Sequence, residues 1–113
     1  MTDPYARLQA ALADNAAQLR SLTAQRDEIV AASRDSNADD EHDPEGATIA
    51  FERQQVAALV DQLERSRADI ERALAQCETG DYGRCERCGE PISAARLDAR
   101  PTARTCIRCA SRH

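Results

Sequence analysis

Two stretches of the chain repeat seam positions at alternating steps of three and four. The first runs Tyr5, Leu8, Leu12, Asn15, Leu19, Leu22, Arg26 and Ile29. The second runs Val56, Leu59, Leu63, Ser66, Ile70, Ala73 or Leu74, and Cys77. Each is a heptad seam with polar interruptions and predicts an amphipathic helix. Thr2 or Asp3 can cap the first helix, with Pro4 at its first position, and its pattern lasts to about Arg34. Pro44 and Gly46 predict a turn, Ala47 opens the second helix, and Gly80 suits its C-terminal cap.

The two seams match each other. In an antiparallel hairpin the residue numbers of facing positions have a nearly constant sum. Tyr5 with Cys77, Leu8 with Leu74, Leu12 with Ile70 and Leu19 with Leu63 all give 82. Leu22 with Leu59 gives 81, and so does Asn15 with Ser66, so the polar interruptions are expected to meet. Such a layer fixes register at a cost in stability. Arg26 is expected to face Val56, its stem packed and its head in water. The midpoint of the sums falls at residue 41, inside Asp39–Ala47 (DDEHDPEGA). Helices of about 30 residues span about 45 Å, so this segment is expected at the tip of a long hairpin.

Composition agrees with thin helical seams. The 113 residues hold two Tyr, one Phe and no Trp, too few aromatics for a thick core. All fifteen bases are Arg. The net charge of −5 is uneven: residues 1–84 carry 9 Arg against 17 acids (−8), and residues 85–113 carry 6 Arg against 3 acids (+3). Only the C-terminal end has the basic balance of a nucleic-acid binder. Asp35, Asp39, Asp40, Glu41, Asp43 and Glu45 crowd six acids into residues 35–45, which calls for solvent exposure. No apolar run is long enough to span a membrane, and the first residues do not read as a signal peptide, so a cytoplasmic location is expected.

Disulfides are disfavoured in that compartment, and four of the five cysteines have another explanation. Cys85-x-x-Cys88, seventeen residues, then Cys106-x-x-Cys109 has the spacing of a four-cysteine zinc site. Two intervening residues let one tight turn present both sulfurs to a metal, and Gly89 eases the backbone just after the first pair. Four thiolates close the tetrahedron, so one structural Zn2+ is expected and no open catalytic position. Residues 81–113 hold only Ile92, Leu97 and Ile107 as large aliphatics, too little apolar surface to order the segment alone. Cys77 lies on the helical seam and reads as a small buried hydrophobe. The fold class is therefore mainly α: a long antiparallel coiled-coil hairpin over 1–80, with its acidic tip at about 35–47, and a small four-cysteine module over 81–113.

Residues 80–89 (GDYGRCERCG), Ile92, Arg96, the stretch 97–103 (LDARPTA), Cys106 and Cys109 resemble the DksA/TraR zinc-finger family. The resemblance extends to the preceding hairpin. It implies a transcription regulator that binds bacterial RNA polymerase, with the coiled coil entering the secondary channel and acting through acids at its tip. The family's tip pattern is Asp-x-x-Asp-x-Ala. Counting back from the zinc cysteines places His42, Glu45 and Ala47 there, whereas another gap gives Asp40, Asp43 and Glu45. Asp40, Asp43, Glu45 and Ala47 are the candidate acting residues. The resemblance implies RNA polymerase as partner, no sequence-specific DNA binding and no membrane, and the hairpin is expected to be monomeric. A DNA-binding zinc-finger protein and a coiled-coil adaptor without polymerase activity are the alternatives. No nucleophile–base pair suggests an enzyme.

Overall fold

A computed structural model describes residues 3–35 and 44–112, with side chains described for 3–34 and 47–112. Its elements are α1 (Pro4–Asp35), α2 (Pro44–Thr79), α3 (Ala94–Ala99) and α4 (Ile107–Ala110). The long helices α1 and α2 form the expected hairpin. Among the described residues there is no strand, only one isolated antiparallel bridge between Arg84 and Pro91.

Thr2 lies outside the described residues, and Asp3 caps α1. Its carboxylate accepts from the Tyr5 amide at 3.4 Å and its carbonyl from the Arg7 amide at 3.0 Å. The start of α2 is a correction. The helix begins at Pro44, three residues before Ala47, and takes Gly46 into its first turn. Proline's fixed φ suits the first helical position, where the missing N–H has no intrahelical acceptor to lose. Gly80 ends α2 as expected, with φ +82. The Asp81 and Tyr82 amides both bond the Gln76 carbonyl, at 2.9 and 3.2 Å, which satisfies an otherwise orphaned acceptor.

The chain forms two compact units, Met1–Ala13 with Arg67–His113, and Asp14–Ser66. In the first, Leu8, Ile70 and Ala73 are buried, and Ala11, Leu12, Leu74, Cys77 and Tyr82 pack against them. These include the expected partners Leu8 with Leu74 and Leu12 with Ile70. Tyr5 and Cys77 line one cavity of about 480 Å³.

In the second unit, Val56, Val60 and Asn15 are buried. The predicted seam is corrected here at two positions. Leu59 is 47% exposed while Val60 is 9% exposed. A step of four from Val56 reaches Val60 as legitimately as a step of three reaches Leu59, and packing took the former. Leu59 still lines a shallow groove with Leu22 and Leu63. Ser66 is exposed and is not the partner in the hydrogen bond Asn15 makes. The Asn15 amide instead donates to the Leu63 carbonyl at 2.9 Å, so the buried polar contact is side chain to backbone. Its Oδ1 is buried with no partner among the described residues.

Candidate metal centre

Beyond α2 the chain has few apolar residues and folds around its cysteines. Gly83 (φ +84) turns the backbone, and its carbonyl accepts from the Ile92 amide at 2.7 Å. The Cys85 amide donates to the Glu90 carbonyl at 2.9 Å. These bonds close a loop that carries the first cysteine pair. Inside it the Gly89 amide returns to the Cys85 carbonyl at 3.0 Å, with Gly89 at φ +76. That is the glycine the tight turn required.

The second pair is set by two short helices the seam pattern did not reveal. Ser93 caps α3 by accepting from the Arg96 amide at 3.2 Å. The Arg96 guanidinium then donates to the Thr105 carbonyl at 2.8 Å, which holds the segment just before Cys106. Cys106 is the N-cap residue of α4. The Glu86 amide bonds the Arg104 carbonyl at 2.8 Å and ties the two halves together. Cys85, Ile92 and Cys106 form the buried cluster here, with Leu97 and Cys109 against it, whereas Ile107 is 63% exposed. Three of these five core residues are cysteines.

The sulfurs of Cys85, Cys88, Cys106 and Cys109 all lie within 4.8 Å of one another, and Cys88 Sγ is 3.8 Å from Cys106 Sγ. A tetrahedral zinc with about 2.3 Å bonds requires sulfurs about 3.8 Å apart, so the donor set fits one zinc ion. Its electrostatics fit as well. Amides, first that of Cys88, point at Cys85 and lower its thiol pKa to about 6 against the opposing effect of burial. The Cys109 amide likewise holds the Cys106 thiol below its ordinary value. Burial first, and then the neighbouring sulfurs, push Cys109 up to about 12. Four adjacent sulfurs resist collective ionisation in the absence of a cation, and a divalent ion removes that conflict.

Several arginines fasten this module to the helices of the same unit. Arg72 of α2 donates to Gln76 Oε1 at 3.2 Å, to Glu86 Oε1 at 3.4 Å and to the Thr102 carbonyl at 3.0 Å. Arg104 pairs with Asp69 at 2.9 Å, and Arg7 of α1 reaches the Asp98 carboxylate at 3.2 Å and carbonyl at 2.7 Å. Arg104 lies two residues before Cys106 in sequence, but its guanidinium engages Asp69. Arg87 remains in the module and donates to the carbonyls of Cys109 and Arg112, at 3.4 and 3.3 Å. No local signal marked Arg72 or Arg7, whose partners in the module are 14 to 91 residues away.

Cys77 stands apart as expected, half-buried on the seam. Burial first, then the charges of Asp3 and Glu78, raise its pKa, so it remains a neutral thiol. Of the tip candidates, Ala47 is exposed on α2. Glu45 falls in the first turn of α2, but its side chain lies outside the described residues, as do Asp40, Asp43 and His42.

Residues 80–113 match the prokaryotic dksA/traR C4-type zinc finger. Over 44 residues the chain is 52% identical to the RNA polymerase-binding transcription factor DksA of Caulobacter vibrioides, covering 39% of this chain and 31% of that protein. Over 40 residues it is 52% identical to the DksA of Escherichia coli K12, covering 35% and 26%. The matched stretch thus spans about a third or less of these relatives. The whole fold is similar to the structure of transcription factor DksA2 from Pseudomonas aeruginosa, with TM-score 0.59 and 29% identity over 95% of this chain and 82% of that one. Residues 80–113 form a zinc finger of the DksA/TraR type, and the chain as a whole is similar to DksA2.

The finger match agrees with the closed donor set. A C4 finger of this family takes one zinc as a structural element, and its four sulfurs leave no protein-free position for substrate. The relatives are named as transcription factors, not enzymes. Among the described residues no helix is long and apolar enough to cross a membrane.

Proposed function

We propose that the protein regulates transcription by binding bacterial RNA polymerase and inserting the acidic end of its hairpin into the secondary channel. The observation that carries this reading is the joint presence of a DksA/TraR finger and a two-helix hairpin whose helix ends and connection together hold six acids in residues 35–45. Relatives that share the finger are named for binding RNA polymerase. Residues 1–80 act as the lever and residues 81–113 as its zinc-dependent base. Cys85, Cys88, Cys106 and Cys109 ligate the ion, which supplies cross-linking and charge neutralisation, not reactivity. Asp40, Asp43, Glu45 and Ala47 form the acting end. The protein works as a cytoplasmic monomer and needs no sequence-specific DNA contact.

The test is co-elution of the purified protein with core RNA polymerase, followed by competition with another secondary-channel factor. The double variant Asp43→Asn with Glu45→Gln is expected to retain binding and lose the effect on transcription from a responsive promoter. A double variant that regulates as well as wild type removes the tip from the mechanism.

A further inference from the structure

Arg26 and Val30 of α1, with Ala50, Arg53, Gln54 and Ala57 of α2, line a groove of about 410 Å³ within the Asp14–Ser66 unit. Its chemistry runs against its surroundings. Residues 14–66 contain 12 acids and 5 Arg (−7), yet this groove gathers two guanidiniums and an amide over a floor of one valine and two alanines. Neither Arg26 nor Arg53 forms an ion pair among the described residues. Asp27, Glu28 and Glu52 adjoin them in sequence but form no ion pair with them. Two like charges without an ion-pair partner among the described residues, one from each helix, make a site complementary to an anion.

We infer that this cradle seats an acidic side chain, flanked by aliphatic ones, on the surface of the polymerase. The inference rests on the proposed function and names the contact chemistry on the side of the hairpin. The acid-rich unit selects the ligand. A nucleic-acid strand carries phosphates along its whole length, and beyond the cradle it would run past those 12 acids. A single carboxylate can enter the cradle alone, accept from both guanidiniums, and lay neighbouring methylenes on Val30, Ala50 and Ala57. Such a contact selects register on the partner more than it adds raw affinity.

The experiment measures binding of full-length zinc-loaded protein to purified core polymerase by fluorescence anisotropy. Wild type is compared with the R26E/R53E and R26K/R53K pairs. Helical circular dichroism and zinc content show whether each variant is folded. Where charge reversal unfolds the hairpin, R26Q/R53Q takes its place. The reversal is expected to weaken binding about tenfold or more, and the lysine pair less. A folded reversal variant that binds like wild type overturns the cradle while leaving the polymerase reading intact. Wild type that does not bind the polymerase at all overturns both. Competition by millimolar inorganic phosphate or by duplex DNA, lost in the reversal variant, reassigns the cradle to phosphate and overturns the inference as stated.

Discussion

The Tyr82 hydroxyl donates a 2.8 Å hydrogen bond to the Pro101 carbonyl, nineteen residues further along the chain. Tyr82 follows the cap of α2 and packs on the Leu8–Ile70–Ala73 cluster, while Pro101 lies between α3 and the second cysteine pair. One phenol therefore joins the helical seam to the zinc module.

Removing that oxygen has a defined signature. Tyr82→Phe is expected to lose about 1 kcal/mol at neutral pH, the usual net value of one such bond. Burial above all raises the phenol's pKa from its ordinary value of 10. A group whose folded pKa is raised contributes stability that is complete below its unfolded pKa and is lost as pH rises through the folded one. Wild type should therefore lose its advantage over Tyr82→Phe above pH 10. Denaturant melts of both proteins at pH 7 and pH 11 check this, and a constant gap would refute it.

Arg72 and Arg104 make a contrasting pair. Arg72 is largely covered and bonds three acceptors on two segments, so Arg72→Ala is expected to cost about 2 kcal/mol and to speed zinc release to a chelator. The Arg104–Asp69 pair is half exposed, and Arg104→Ala is expected to cost under about 1 kcal/mol. Equal effects on denaturation and on zinc-release rate would mean that Arg72 has no special positioning role.

The glycines of the finger should not tolerate substitution equally. Gly83 and Gly89 both have positive φ, so alanine at either is strained by about 1–2 kcal/mol. At Gly83 the new methyl also meets Leu97 Cδ1 at 3.2 Å, whereas at Gly89 nothing lies within 4 Å. Gly83→Ala is therefore expected to be the more destabilising in thermal melts of the zinc-loaded protein. The reverse order would show that the knuckle turn tolerates less than its open surroundings indicate.

Zinc should bind at one ion per chain. Ile92 and Leu97 are the aliphatics of the finger core, and they cannot order the module without the metal. Chelation is expected to remove hydrogen-exchange protection from residues 81–112 before the rest of α1 and α2. Two ions per chain, or protection unchanged after chelation, would contradict the closed four-sulfur site.

At Asn15, the buried and unpartnered Oδ1 predicts that Asn15→Leu raises the denaturation midpoint while weakening the specification of a single register. Sedimentation should then show species beyond the monomer. A stabilised variant that remains strictly monomeric would assign register to the apolar positions alone.

The parts legible in the sequence were those written in local period or spacing. The alternation of three and four marked both helices, and the cysteine intervals marked the metal site. The seam misassigned Leu59 because steps of three and four are equally allowed from Val56, and only the facing helix distinguishes them. The expected pairing of Asn15 with Ser66 assumed that polar side chains seek each other, whereas a backbone carbonyl one turn away was the acceptor reached. The arginine clamp was illegible for a different reason. Arg7 and Asp98 are 91 residues apart, and nothing in the neighbourhood of either names the other.

The Leu8 cluster has a consequence for synthesis on the ribosome. Leu8 is made early, but the residues that cover it, Ile70 and Ala73, are made more than sixty residues later, and the finger joined to that end of α2 emerges later still. Until then α1 carries an uncovered apolar seam. Closure of this unit therefore waits for its later residues, and a nascent chain deprived of zinc is expected to leave the finger side of the unit open to chaperones and proteases.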